Sequence, residues 1–484
     1  MKKGLLIWCF FLLTVKVFGQ QYSQYNTGSL YESFENPSVR TFIPDTSKNF
    51  SFNFLIPNFN ANFYLTGNAQ EALKTRAFSS YYNTAGLQIG KGQNNHLYLN
   101  ANVYSVMFKM FSSANGNQEV GFFVNTKTEA SGVASDESVA LFNGYSNFPN
   151  NTYNNIFNGN IYYQVYHQIG VTYREQVSKR LAIGIKFSAL SGLSYKKYSI
   201  DKSSITFDKA NDAATLSLQG TGYSNGTAGQ SGIRSIIPTF LNPGAAITLG
   251  ASYVDESGYT WQGNIKDVGF IHWNSTSSIS SFNTSKQITG LSSSDRENNV
   301  ITQADSVTSS GQVKKSFTSK TNGLLELSIN KTYWLDGEQQ IKFSPTLIAS
   351  KEMFYPGFTA ALVTPVQLGN YIISLTSSYN DLKLFNFGGQ FMIKKYDSEF
   401  FIGSERLFQT ISLIKNAAQS TASTTQPQFV TSQGAYSGMD FYIGVSFKFG
   451  SIIESRMNES STPNGDKGFI GKIWEKLFHK DKNY

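Results

Sequence analysis

The chain has 484 residues, of which 15% are charged and 15% aromatic, with 27 Tyr and 39 Phe, and its formal net charge is +8. Soluble globular chains carry roughly a quarter charged residues, and the shortfall here is filled by Asn, Ser, Thr, Gly and Tyr, which favour turns and strands over helices. The basic surplus is too thin and scattered for a nucleic-acid partner, and the single cysteine, Cys9, sits in a segment expected to be removed, which excludes disulfides and thiolate metal sites from the mature chain.

MKKGLLIWCFFLLTVKVFG opens with two lysines, continues with an apolar run and ends on Gly19. This reads as a signal peptide over residues 1–19, with cleavage expected after Gly19. Beyond it, no stretch reaches the roughly 18 apolar residues of a membrane-spanning helix. An exported chain of alternating aromatic strands is then a soluble β protein or an outer-membrane barrel.

Residues 20–49 precede the regular pattern and are expected to form a hatch-like segment. From about 50 to 450, period-two segments recur. Phe50, Phe52 and Phe54 alternate with Ser51 and Asn53; Leu97, Leu99, Ala101 and Val103 alternate with Tyr98, Asn100 and Asn102. A hairpin follows, with Ile169, Val171 and Tyr173 entering the turn EQVSKR and Leu181, Ile183, Ile185 and Phe187 leaving it. Further pairs are expected at 244–254 with 259–273, 323–334 with 339–350, 357–364 with 371–379, and 383–395 with 398–404. Weaker strands are expected near 195–207 and 211–223. FYIGVSFKFG, residues 441–450, closes the series, with Phe447 and Phe449 as an aromatic-ended signal for the barrel-assembly machinery.

Loop lengths sort by side. If the last strand ends on the periplasmic side, the long segments 67–95, 130–160, 224–243, 274–322 and 405–438 all fall outside and the short turns inside, as in bacterial outer-membrane barrels. A soluble sandwich has no reason for this sorting. The expected fold is all-β: a transmembrane antiparallel β-barrel of about 14 to 16 strands over 50–450, with a lumenal N-terminal segment and a C-terminal amphipathic helix, in the cell outer membrane. The long outer segments, rich in Ser, Thr and Asn, read as solvated loops or as partner-binding loops.

SLYESFENPSVRTFIPD, with Asn36-Pro37, resembles the asparagine-proline motif near the mature N terminus of FadL-type barrels, and NPGAAITLGASY at 242–253 with NIKDVGFIHW at 264–273 resembles paired strands of PorV-like outer-membrane proteins. FFIGSERLF at 400–408 and QYNTGSLYESFENPS are similar to segments of an exported barrel family of unknown function. The resemblance implies an N-terminal hatch and one of two non-enzymatic roles. One is a conduit or binding site for small hydrophobic compounds; the other is a structural or interaction barrel for type IX-like secretion or surface attachment, with periplasmic or secretion-system partners. In the FadL-like reading, Phe34, Asn36, Pro37, Phe42 and Ile43 border an apolar ligand pocket; the alternative is that this segment lies against the periplasmic rim.

No cofactor is expected. His96, His167, His272 and His479 lie far apart in no metal motif, no nucleophile elbow is present, and the glycine run at 220–232 lacks the lysine and helix of a phosphate loop. Trp261, Trp273 and Trp334, with Tyr98, Tyr173, Tyr253 and Tyr259, are expected in an interfacial girdle. The alternate strand face, with Asn100, Asn102, Thr172, Arg174, Lys186, Ser188, Ser446 and Lys448, is expected to line the lumen. The tail, 451–484, is a linker and a basic amphipathic helix whose apolar face, with Phe469, Ile473, Trp474 and Leu477, meets outer-membrane lipid or a periplasmic partner.

Overall fold

Alternating residues bury one face of each segment, and the segments join edge to edge until no edge is left. The computed structural model describes residues 21–42, 48–53, 56–78, 82–111, 118–226, 238–354, 357–422, 436–452 and 468–478. The expected signal peptide and Ile43 lie outside these residues. Fourteen antiparallel strands form the closed barrel. They are β1 (Lys48–Phe52 and, after a break, Asn58–Thr66), β2 (Asn94–Phe111), β3 (Gln118–Ser135), β4 (Gly159–Gln176) and β5 (Leu181–Asp208). Then follow β6 (Pro243–Val254), β7 (Tyr259–Trp273), β8 (Phe317–Lys320 and Leu324–Lys331), β9 (Ile341–Phe343 and Thr346–Glu352) and β10 (Phe358–Leu368). The last are β11 (Tyr371–Asn380), β12 (Phe385–Lys394), β13 (Ser398–Ser404) and β14 (Tyr436–Ile452). Each strand pairs with its chain neighbours, and β14 pairs with β1 to close the ring, with Phe449 opposite Phe50 and Tyr442 opposite Asn60.

Two extra residues redirect side chains. In β2 the register slips between Tyr104 and Val106, so Asn102 and Tyr104 face inward before it and Met107 and Lys109 after it. In β7 the register slips between Ile265 and Val268, where Asp267 takes a φ of 50°. A bulge of this kind reverses which face the following residues share. Ile271 and Trp273 therefore turn inward and are fully buried, and Trp273 donates its indole N–H to Ser319 at 2.8 Å. This corrects the placement of Trp273 in an interfacial girdle. Tyr98 is also inward, stacked on Tyr64 at 5.2 Å. The break in β1 is bridged by Asn53, whose side chain accepts from the Met107 amide at 2.6 Å and donates to the Tyr104 carbonyl at 3.0 Å, standing in for the missing ladder.

The outward face carries exposed apolar side chains all round the ring, among them Phe122, Val171, Phe187, Leu249, Leu327 and Ile373. Exposed Tyr253, Trp261, Tyr333, Trp334, Tyr371 and Tyr396 gather at the short-turn end. An apolar band edged by amphipathic rings is the surface a barrel presents to a bilayer. Among the described residues no helix is long and apolar enough to cross a membrane.

At the long-loop end residues 274–322 are folded rather than loose, which corrects the solvated-loop alternative for that segment. The far half of β5 pairs with Ala213–Gly226, which pairs with Ser278–Thr289. Helix Arg296–Thr308 packs on this outer sheet through Val300 and Val307, against Ile205, Phe207, Leu216, Leu218 and Phe282. Segment 405–438 contributes helix Leu407–Ala422.

Candidate functional site: the plugged bore and the chamber above it

Residues 21–42 fill the bore. Tyr22–Gln24 forms one 3₁₀ turn and Leu30–Glu35 a short helix, α1, which is followed along the chain by α2 (Gln70–Phe78), α3 (Asp136–Leu141), α4 (Arg296–Thr308), α5 (Leu407–Ala422) and α6 (Phe469–Phe478). Six residues are too few to hold a helix unaided, and the ends are fixed by a capping box: the Glu32 amide donates to the Ser29 hydroxyl at 3.2 Å, and the Ser29 amide to the Glu32 carboxylate at 3.4 Å. Asn36 ends the helix, and its side-chain oxygen accepts from the Ser38 amide and hydroxyl at 3.1 and 2.7 Å. Pro37 then lies against Gly184 of β5.

The wall holds this plug at many points. Tyr22 is sandwiched between Tyr31 at 4.8 Å and Tyr442 at 4.0 Å. The Gln21 amide donates to Glu405 at 2.7 Å, and the Leu30 amide to Glu399 at 3.0 Å. Lys394 donates to the Gly28 carbonyl at 2.8 Å. Lys266 pairs with Glu35, whose carboxylate also accepts from the Tyr104 hydroxyl at 2.6 Å. Lys127 and Lys186 meet Asp267, the second at 3.0 Å. Lys109 and Arg174 approach Glu119 at 3.4 and 3.9 Å, and Arg174 also donates to the Ser38 carbonyl at 2.9 Å. Buried charges persist only when paired and hydrogen-bonded, so plug and wall specify each other.

Of the lumen positions read from the sequence, Asn102, Thr172, Arg174, Lys186, Ser188, Ser446 and Lys448 are buried on the inner face, and Asn100 is half-buried there. Asn102 donates to Glu35, Ser188 accepts from Gln168, and Ser446 donates to Glu399. Phe34, Asn36, Pro37 and Phe42 are buried in the plug. Phe34 packs on Phe123 at 5.7 Å and Phe42 on Phe111 at 6.0 Å, so these rings are enclosed by wall aromatics. Phe447 and Phe449 point outward and are exposed. In the tail, helix α6 (Phe469–Phe478) leaves Phe469 and Ile473 exposed and Trp474 half-buried; the side chain of Leu477 lies outside the described ones. Sequence reasoning did not single out Lys109, Glu119, Lys127, Glu129, Lys266, Asp267, Glu326 or Glu352. Their signal was inward parity, which the bulges conceal at Lys109 and Asp267.

A cavity of about 470 Å³ opens inside the long-loop third of the barrel. Its wall is two successive inward rows: Tyr64, Tyr98, Ser131, Tyr162 and Lys197 are in register across β1 to β5, and His96, Val133, Asn160 and Ser199 form the next row. Asn322, Glu352 and Leu382 also line it. Glu129 sits in the lining and accepts from the Tyr166 and Tyr162 hydroxyls at 3.0 and 3.3 Å. Tyrosine faces with a few carboxyl and ammonium groups suit a compact, largely apolar molecule with one polar end. Among the described residues no group of His, Cys, Asp and Glu could hold a metal ion.

A closed barrel with a lumenal plug is the class that fold and site define. The chain belongs to a family described as a family of unknown function, DUF5723, whose model matches residues 42–405. Among curated proteins no match is found. Among solved structures it is similar to the Ralstonia pickettii toluene transporter TbuX, at 8% identity, 90% of this chain and 100% of that one, with a TM-score of 0.42. It is likewise similar to the Pseudomonas putida toluene transporter TodX, at 8% identity, 87% and 95% coverage and a TM-score of 0.41. A Pseudomonas aeruginosa FadL homologue gives 7%, the same coverage and 0.41. At such identities and scores nothing of their substrates passes to this chain.

Proposed function

We propose that the chain is an outer-membrane barrel that binds small, largely apolar molecules in the chamber at its long-loop end, with residues 21–42 as the gate beneath. The carrying observation is the chamber itself, about 470 Å³ and lined on one side by Tyr64, Tyr98 and Tyr162. Its size falls within the roughly 300–1,000 Å³ of small-molecule sites. The reading is non-enzymatic. It is tested by titrating the purified barrel with monoaromatic compounds and medium-chain carboxylates in a calorimeter. Saturable binding is expected, and Ser131→Trp, which fills the chamber, is expected to weaken it at least tenfold. Binding untouched by that change would remove the chamber from the account.

A second reading, a barrel that anchors or receives another protein, is favoured by the folded sheet and helix at the long-loop end, whose core includes Phe282, Val300 and Val307. Secretion-system or periplasmic proteins are the partners in that case. Deleting residues 278–308 is expected to leave small-molecule binding intact and abolish any co-purifying protein.

A further inference from the structure

Glu175 stands where a carboxylate is costly. On β4, Thr172 and Arg174 turn into the lumen and are buried, while Val171 points outward and is 50% exposed. Glu175 shares the outward face with Val171 and Tyr173, and its register partners are Gln118 and Ile183. Yet Glu175 is only 2% exposed. Helix α6 covers it: the amides of Ile470 and Gly471 each donate to its carboxylate at 2.9 Å, and Tyr173 donates its hydroxyl at 2.8 Å. The carboxylate thus occupies the amide-rich start of the helix, where negative charge is favoured. Gly468 permits the approach, since a methyl there would overlap Gln118, the Tyr173 hydroxyl and Glu175.

This latch lays α6 against the outside of the wall at the short-turn end, and it fixes which side faces away. Gly471 is buried and Trp474 half-buried, while Phe469, Lys472, Ile473 and Lys476 are exposed. Val171 lies four residues up the strand from Glu175, about 13 Å at 3.3 Å per residue. The free face of the helix therefore continues the apolar band downward and adds ammonium groups beside it.

We propose that α6 is an interfacial collar: latched by Glu175, it sinks Phe469 and Ile473 into the lipid leaflet at the short-turn end and sets Lys472 and Lys476 among anionic headgroups. Apolar side chains beside lysines that reach away from the apolar band to phosphate are what such a surface recognises. The inference rests on the reading of the wall as lipid-embedded.

The test uses the full chain, whose mature part has no native cysteine. Ile473→Cys and, as a wall control, Phe187→Cys are labelled with an environment-sensitive fluorophore and reconstituted in phosphatidylethanolamine and phosphatidylglycerol vesicles carrying nitroxide lipids. Both labels are expected to emit blue-shifted and be quenched. Glu175→Ala, and separately Gly468→Val, should at least halve quenching at position 473 and leave 187 unchanged; replacing phosphatidylglycerol by phosphatidylcholine should weaken quenching at 473 about twofold. A label at 473 that stays in water while 187 is quenched overturns the collar, as does protection at 473 only after periplasmic protein is added, or indifference to both latch variants. Loss of quenching at 187 as well would instead sink the membrane reading beneath it.

Discussion

Gly184 and Gly250 face each other in register across β5 and β6, and the Asn36-Pro37 turn of the plug rests on both. A methyl at Gly184 would overlap the Pro37 carbonyl carbon and the Ser38 amide; one at Gly250 would overlap the Asn36 side-chain oxygen. The obstacle in the first case is backbone, which cannot swing aside. Gly184→Ala should therefore unseat the plug at a cost of about 1–3 kcal/mol while the ring of strands persists. Planar-bilayer recordings are expected to change from closed to intermittently conducting, with residues 21–42 newly open to protease. Identical recordings from both proteins would show that the turn does not seal the bore.

Lys266 makes the second contrast. It bridges Glu35 of the plug and, at 3.9 Å, Glu326 of β8. Removing one partner of a buried pair leaves a charge without its counterpart and costs about 3–5 kcal/mol, whereas removing both is far milder. Lys266→Met alone should lower stability by that amount, and the triple change that also carries Glu35→Gln and Glu326→Gln should recover most of it. Urea unfolding in lipid vesicles reads both, and equal losses in the single and triple variants would contradict pairing as the reason the plug stays.

How much of this was legible in the sequence depends on which physical signal each residue leaves. The hairpins at Ile169 to Phe187 and at 371–404 were readable because one face of each strand is greasy and the other is not, and because their turns are short. The outer strand Ser278–Thr289 was not, since the side chains it buries include Ser278 and Ser280 as well as Phe282 and Ile288, and serines hide a period of two. DVGFIHW looked like plain alternation; Asp267 is in fact the inserted residue that sends Trp273 into the lumen. Nor can one chain read alone show that Lys127, Lys186 and Asp267, on three different strands, converge. Ser29 and Glu32 carry the local pattern of a capping box, which was not singled out, and the plug's fit to Gly184 leaves no local pattern at all.

The start of the plug should respond to pH through Glu405, which lies just past the end of β13 and accepts from the Gln21 amide at 2.7 Å and the Tyr25 hydroxyl at 3.4 Å. Burial, and then the neighbouring Asp440 carboxylate, push the Glu405 carboxyl well above its ordinary range. A carboxyl raised in this way binds more protons folded than unfolded, so its protonated form is the favoured one and stability falls as pH rises from about 4.3 upward. Amide exchange of residues 21–25, corrected for intrinsic rates, is expected to quicken across that window in the native protein and to flatten in Glu405→Gln. The same pH profile in both would assign the anchor to other groups.

Phe449 closes the ring. It lies opposite Phe50 and stacks on it at 5.3 Å, and Phe50 in turn stacks on Phe108 of β2 at 6.0 Å, so one aromatic ladder crosses the seam between the last strand and the first. Both ends of the chain must already be in place for this contact to form. Phe449→Ala removes the ring-to-ring contact, about 0.5–1.5 kcal/mol, a modest loss for a finished barrel but one that falls on the last step of closure. If Phe447 and Phe449 also serve the assembly machinery, the folded, heat-modifiable form should accumulate several-fold more slowly in cells for Phe449→Ala than the stability loss alone dictates. Truncation after Ile452 should then leave accumulation unchanged, because such a signal would end within β14. A truncated chain that fails to assemble while Phe449→Ala assembles normally would move the signal out of β14 and into the tail.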